Sequence, residues 1–119
     1  MNELTKAEEQ IMQVLWKIER GFVKDVVDRL DNPKPAYNTV STIVRILEKK
    51  GFVDHKAYGK THEYFPIVSK KEYTKKFFGN FLKKYFGSSF HQLVSFFSNE
   101  NDLSLDEMEK IRLLLEEEI

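Results

Sequence analysis

The sequence predicts a mainly α protein, with a winged helix-turn-helix domain (three helices plus a two-stranded wing) followed by a helical dimerisation region. Three observations carry this reading. Three amphipathic stretches fill the first fifty or so residues, separated by a glycine and by a proline-bearing turn. Two short aromatic stretches with a glycine between them follow directly, as in a hairpin. Beyond Pro66 the pattern is helical again, and it carries more aromatic side chains than a segment of about fifty residues can bury alone.

The first helix is expected from Leu4 to Glu19. Thr5 followed three residues later by Glu8 forms a capping box, in which each residue's side chain satisfies the other's amide. Ala7, Ile11, Val14, Leu15 and Ile18 recur at helical spacing as one buried stripe with Trp16 at its margin, and Gly21 ends the segment. Val23, Val26, Val27 and Leu30 repeat the spacing in a short second helix. It stops before Asp31-Asn32-Pro33-Lys34-Pro35, where two prolines stiffen the turn. The third helix is expected from Ala36 to Lys50, with Gly51 accepting the left-handed conformation that closes it. Phe52-Val53-Asp54-His55-Lys56 and Thr61-His62-Glu63-Tyr64-Phe65 are the wing strands, joined through Ala57-Tyr58-Gly59-Lys60, and Pro66 closes a domain spanning residues 1–66.

Residues 67–119 read as the dimerisation region. Tyr73, Phe77, Phe81 and Tyr85 fall at four-residue steps in a helix from Ser69 to Phe86, with Phe78, Leu82 and Phe86 beside them. Ser88 or Ser89 caps a further helix carrying Phe90, Leu93, Val94, Phe96 and Phe97. A second capping box at Ser104-Leu105-Asp106-Glu107 opens a last helix with Leu105, Met108, Ile111, Leu114 and Leu115. The expected dimer surface comprises Tyr73, Phe77, Phe81, Tyr85, Phe90, Leu93, Phe97, Met108, Ile111 and Leu115. The alternative is that these side chains pack back on the chain's own first domain.

The formal charge of the 119 residues is zero, which at first opposes a nucleic-acid partner. Its distribution answers the objection. Residues 34–62 hold six basic side chains against two acidic ones, a net +4; residues 67–86 hold a net +5; residues 87–119 hold a net −6. With no cysteine, disulfides and thiolate metal sites are excluded. The charged N-terminus and the lack of a long apolar run predict a cytoplasmic protein without membrane insertion.

At about 100° per residue, Ala36, Val40, Ile43, Val44 and Leu47 share one arc of the third helix and form its core face. Opposite lie Asn38, Thr42, Arg45 and Lys49, with Ser41 at their edge and Thr39 at the boundary. Small polar side chains toward the N-terminus suit base edges, Arg and Lys further along suit phosphates, and Thr methyls can meet thymine methyls. At the hairpin tip, Lys56, Tyr58 and Lys60 place charge and one aromatic where a wing reaches adjacent backbone. The candidate DNA-binding set is therefore Asn38, Thr39, Ser41, Thr42, Arg45, Lys49, Lys56, Tyr58 and Lys60.

Leu4-Thr5-x-Ala7-Glu8, Ile11-Met12-x-Val14-Leu15-Trp16, Val26-x-x-x-Leu30 and Tyr37-Asn38-Thr39-Val40-x-Thr42-Ile43-x-x-x-Leu47-x-x-Lys50-Gly51-Phe52 together resemble the penicillinase-repressor family, the BlaI/MecI/CopY group of winged-helix transcriptional repressors. The resemblance covers nearly the whole chain. It implies a bacterial homodimeric repressor on double-stranded, dyad operator DNA, with base contacts from Asn38, Thr39, Ser41, Thr42 and Arg45 and the dimer made by the helices after Pro66. It also implies a membrane-bound sensor protease as partner in the antibiotic-sensing branch, where an Asn-Phe bond is cut. Ser95-Phe96 stands here at the matching place, which puts that cleavage in doubt. The copper-responsive branch uses a C-terminal cysteine cluster that this sequence lacks.

Other functions find little in the residues. His55, His62 and His91 lack a spacing that fixes metal geometry, so no metal and no cofactor are expected. No phosphate loop or nucleophile motif is present, and no enzyme is expected. A winged-helix module that binds protein or RNA is the main rival, since fold does not fix function. Membrane association through the lysine-rich, aromatic segment from Lys70 to Phe86 is the other, and dimer packing with solvated lysines explains the same pattern.

Overall fold

The computed structural model describes residues 3–31, 33–100 and 105–116, with the backbone alone described at 98–100, 105, 108 and 114–116. The elements are α1 (Lys6–Ile18), β1 (Gly21–Phe22), α2 (Val23–Asp28), α3 (Tyr37–Lys49), β2 (Val53–Tyr58), β3 (Thr61–Pro66), α4 (Lys70–Phe86), α5 (Phe90–Glu100) and α6 (Leu105–Glu116). They form two compact units, Met1–Lys70 and Lys71–Ile119.

The capping box at the head of α1 is formed as the spacing requires. Thr5 N–H donates to Glu8 Oε1 at 2.8 Å, and Glu8 N–H donates to Thr5 Oγ1 at 3.2 Å. The buried face is rotated from the expected stripe: Ala7 is exposed, while Glu8, Ile11, Met12 and Leu15 are buried. Glu8 is drawn inward because Lys50 Nζ, at the far end of α3, lies 2.8 Å and 3.0 Å from its two carboxylate oxygens. The turn after α1 is made by Glu19, at φ 73°, and not by Gly21. Gly21 has another reason to lack a side chain, since a Cβ there would lie 2.7 Å from Ile18 Cδ1 and 3.3 Å from Asp25 Cβ.

That close approach lets Gly21 and Phe22 pair antiparallel with Tyr64 and Glu63, adding a third strand to the expected two, in the order β1-β3-β2. Phe22 then opens α2, its amide donating to Asp25 Oδ2 at 2.8 Å. The C-terminus of α3 closes as the glycine predicts. Gly51 sits at φ 85°, its amide donates to Glu48 O and the Phe52 amide donates to Leu47 O, with Phe52 and Leu47 both buried. This pair of hydrogen bonds is a Schellman motif. The wing strands run further than expected, β2 to Tyr58 and β3 from the expected Thr61 to Pro66, around the two-residue turn Gly59-Lys60. Positive φ at Gly59 alone is the type II′ pattern.

Met12, Leu15, Val26, Val40, Val44, Leu47, Phe52 and Val53 are each under 2% exposed and form the core of the first unit. The unit continues beyond Pro66 because the Ile67 and Val68 amides both donate to Phe52 O and Trp16 Nε1 donates to Val68 O at 2.9 Å. In the second unit, Leu82 and Leu93 are buried, and Phe78, Phe81, Phe86, Phe90, Phe97 and Ile111 pack half-buried around them. Ser89, rather than Ser88, caps α5 by accepting from the Gln92 amide at 3.2 Å. Phe77, Tyr85, Phe96 and Leu113 stay exposed. Ser104 and the side chains of Met108 and Leu115 lie outside the described residues. Among the described residues, no helix is long and apolar enough to cross a membrane.

Candidate nucleic-acid interface

The α3 helix is held to the first unit by one face. Val40, Val44 and Leu47 are buried and Ile43 is half-buried, whereas Ala36, expected in that arc, is the exposed N-cap. On the opposite side Asn38, Thr39, Thr42, Arg45 and Lys49 are exposed, with Ser41 half-buried at their edge. The face is partly ordered by its own hydrogen bonds. Thr42 Oγ1 donates to the Asn38 carbonyl at 2.9 Å, and Arg45 Nη2 donates to Ser41 Oγ at 3.2 Å. Tyr37 and Ile46 are exposed as well, at 53% and 41%. Helical arithmetic gave them no role, because neither belongs to the polar set or to the core arc.

The hairpin presents Lys56, Tyr58 and Lys60 to solvent. Lys56 Nζ lies 5.3 Å from the centre of the Tyr58 ring, and that ring packs edge-to-face with Phe22, the centroids 5.8 Å apart. The tip is thus braced on one side by the residue that joins β1 to α2.

Between helix and wing lies a contact that sequence reasoning missed. His55 Nδ1 sits 2.8 Å and 3.0 Å from the two Glu48 oxygens, and its ring stacks on His62 with centroids 4.0 Å apart and planes 6° apart. This pairing ties the last turn of α3 to β2 and β3, fixing where the wing stands relative to Arg45 and Lys49. The available signal was Glu48 itself, the lone acidic residue of α3. A carboxylate beside a basic, anion-seeking face needs a donor of its own.

The same cleft is lined by Arg45, Lys49 and Tyr64. Burial raises the Tyr64 hydroxyl above its ordinary pKa, and the Glu48 charge raises it further against the lowering effect of Arg45, so it remains a neutral donor. Oxygens of Glu48 and Asp54 and a ring nitrogen of His55 fall within 4.8 Å of one another. Cation binding there is opposed by the bond already joining His55 to Glu48 and by the two positive side chains lining the cleft.

Lys50 stands apart from this face, engaged with Glu8. Burial alone would raise the Glu8 pKa. The Lys50 ammonium and the Thr5 amide and hydroxyl outweigh it, holding the carboxyl below its ordinary value and therefore ionised. One ion pair thus joins the start of α1 to the end of α3.

Residues 4–117 match the family model described as penicillinase repressor. The chain is 30% identical over 114 residues to the methicillin resistance regulatory protein MecI of Staphylococcus aureus (strain N315), covering 95% of this chain and 93% of that protein. The MecI protein of Mammaliicoccus sciuri is 29% identical over 114 residues, with the same shares covered. The penicillinase repressor of Bacillus licheniformis is 25% identical over 116 residues, covering 97% of this chain and 91% of that protein.

Proposed function

Because the chain belongs to the penicillinase-repressor family of transcriptional regulators, we propose that it represses transcription by binding a dyad operator as a homodimer, with α3 in the major groove and the hairpin wing on adjacent backbone. The observation that carries this reading is the exposed polar and basic face of α3, held opposite a buried apolar one and next to a wing with Lys56, Tyr58 and Lys60 outward. Asn38, Thr39, Ser41 and Thr42 are the groups for base edges and Arg45 serves either bases or phosphate. Lys49 and the three wing residues serve the phosphate backbone. The first unit is the DNA-binding part, and the helices beyond Pro66 make the dimer.

Pairing is supported by what the second unit leaves uncovered. Phe77, Tyr85 and Phe96 are exposed at 37%, 62% and 53%, large apolar surfaces that a second copy would bury. A membrane-bound sensor protease is the proposed partner for release. Ser95 and Phe96 are exposed in α5, so cutting between them requires that helix to open into an extended strand.

The test is a binding titration of the full chain on duplex from its own upstream region and on random duplex. A dimer that sets Arg45, Lys49, Lys56 and Lys60 on phosphates loses about 10³-fold or more in affinity between ~50 and ~200 mM salt. Thr42→Ala and Arg45→Ala are expected to weaken specific binding while circular dichroism stays unchanged. Equal binding to both duplexes would instead favour the protein or RNA module.

A further inference from the structure

Two hydrogen bonds along the exposed face of α3 are made within the helix itself. The Thr42 hydroxyl donates to the Asn38 carbonyl and the Arg45 guanidinium reaches Ser41. With its donor used in this way, Thr42 offers a partner its methyl and a hydroxyl oxygen that can only accept. Thr39, Thr42 and Ile46 are spaced by three and four residues, so they fall within about 60° of arc at ~100° per residue. All three are exposed, Ile46 at 41%. A single exposed isoleucine needs no explanation by itself. This one continues a line of threonine methyls beside Arg45 and Lys49, whose charges select a polyanion as the occupant.

We infer that this methyl ridge of Thr39, Thr42 and Ile46 reads the C5-methyl groups of thymines in the major groove. The inference rests on the operator reading above and deepens it. The thymine methyl is the one apolar group that unmodified base pairs present in that groove, and uracil lacks it. The ridge therefore specifies A·T pairs at defined positions of each half-site and favours DNA over RNA of the same sequence. Methyl contact of this kind needs no donor or acceptor on the protein side, so it adds to whatever the Asn38 amide and the remaining Arg45 N–H groups read.

The experiment is selection of duplexes from a randomised pool by the full chain, followed by replacing each thymine of the winning duplex, one at a time, with deoxyuridine. Removing one contacted methyl is expected to lower affinity about fourfold, the equivalent of ~0.8 kcal/mol for one methyl-sized group. At least one such position is expected in each half-site. Ile46→Ala is expected to abolish the difference between thymine and uracil at one position, and Thr42→Ser, which keeps the hydroxyl, at another. A selected duplex whose affinity is unchanged by every uracil substitution overturns this inference and leaves the repressor reading intact. Retention of all thymine preferences by both variants also overturns it. A pool from which no duplex is enriched overturns both.

Discussion

The two compact units of this chain solve the problem of burying apolar surface in different ways. In the first, eight large side chains are almost wholly shielded from water, and the polar groups drawn inward are satisfied. Glu8 meets Lys50 and Thr5, and Trp16 Nε1 meets the Val68 carbonyl. In the second, Leu82 and Leu93 are enclosed by aromatic rings that are themselves half in solvent, and Phe77, Tyr85 and Phe96 face outward. A small core leaves a large fraction of its surface uncovered, and association with another copy is the usual remedy. The lesson is one of division. The first unit encloses its own core and leaves a polar helix face outward, whereas the second leaves large aromatic surface uncovered that the proposed dimer would bury.

The largest expected effect separates the two units directly. Phe52→Ala removes a fully buried ring from the first unit and is expected to cost about 3–5 kcal/mol in urea unfolding, at any protein concentration. Leu82→Ala in the second unit is expected to cost less, about 2–3 kcal/mol, with a midpoint that rises with protein concentration. A concentration-independent Leu82→Ala transition would break the comparison.

The next effect sharpens what completes the first unit. Glu8→Ala removes a cap and one side of a mostly buried ion pair, and is expected to cost about 2–3 kcal/mol, between the values for a cap and for a fully buried pair. Because the folded Glu8 pKa is lowered, its contribution is present above the ordinary carboxylate pKa and is lost as pH falls through the folded value. Glu8→Gln is expected to flatten that acid limb in a series of melts. Smaller again, Phe96→Ser is expected to weaken dimerisation by about 30-fold, roughly 2 kcal/mol for a large exposed aromatic side chain that the proposed dimer would bury, with the melting of the first unit unchanged. Smallest is His55→Ala, which unties α3 from the wing. It is expected to cost about 1 kcal/mol and to weaken operator binding through the wing, as measured by titration.

Much of the first unit was legible because its signals are local. Thr5 and Glu8 are three residues apart, Gly51 follows its helix directly, and the polar face of α3 follows from helical spacing. What escaped depends on distant or very short features. The β1 strand has two residues, too few for an alternating pattern, and it exists because Gly21 lets the chain come close to Ile18 and Asp25. The inward turn of Glu8 depends on Lys50, 42 residues away, and the exposure of Ala7 follows from it. In the second unit the aromatic surplus was plain, but the allocation of each ring was not. Helical spacing in α5 cannot say that Leu93 closes the unit's own core while Phe96, three residues onward, is left exposed.

The proposed dimeric repressor is tested most directly by its stoichiometry on DNA. Sedimentation equilibrium of the full chain with a duplex chosen by its own selection is predicted to give two chains per duplex, with free protein dimeric at the same concentration. One chain per duplex, saturated by a monomer, would contradict it.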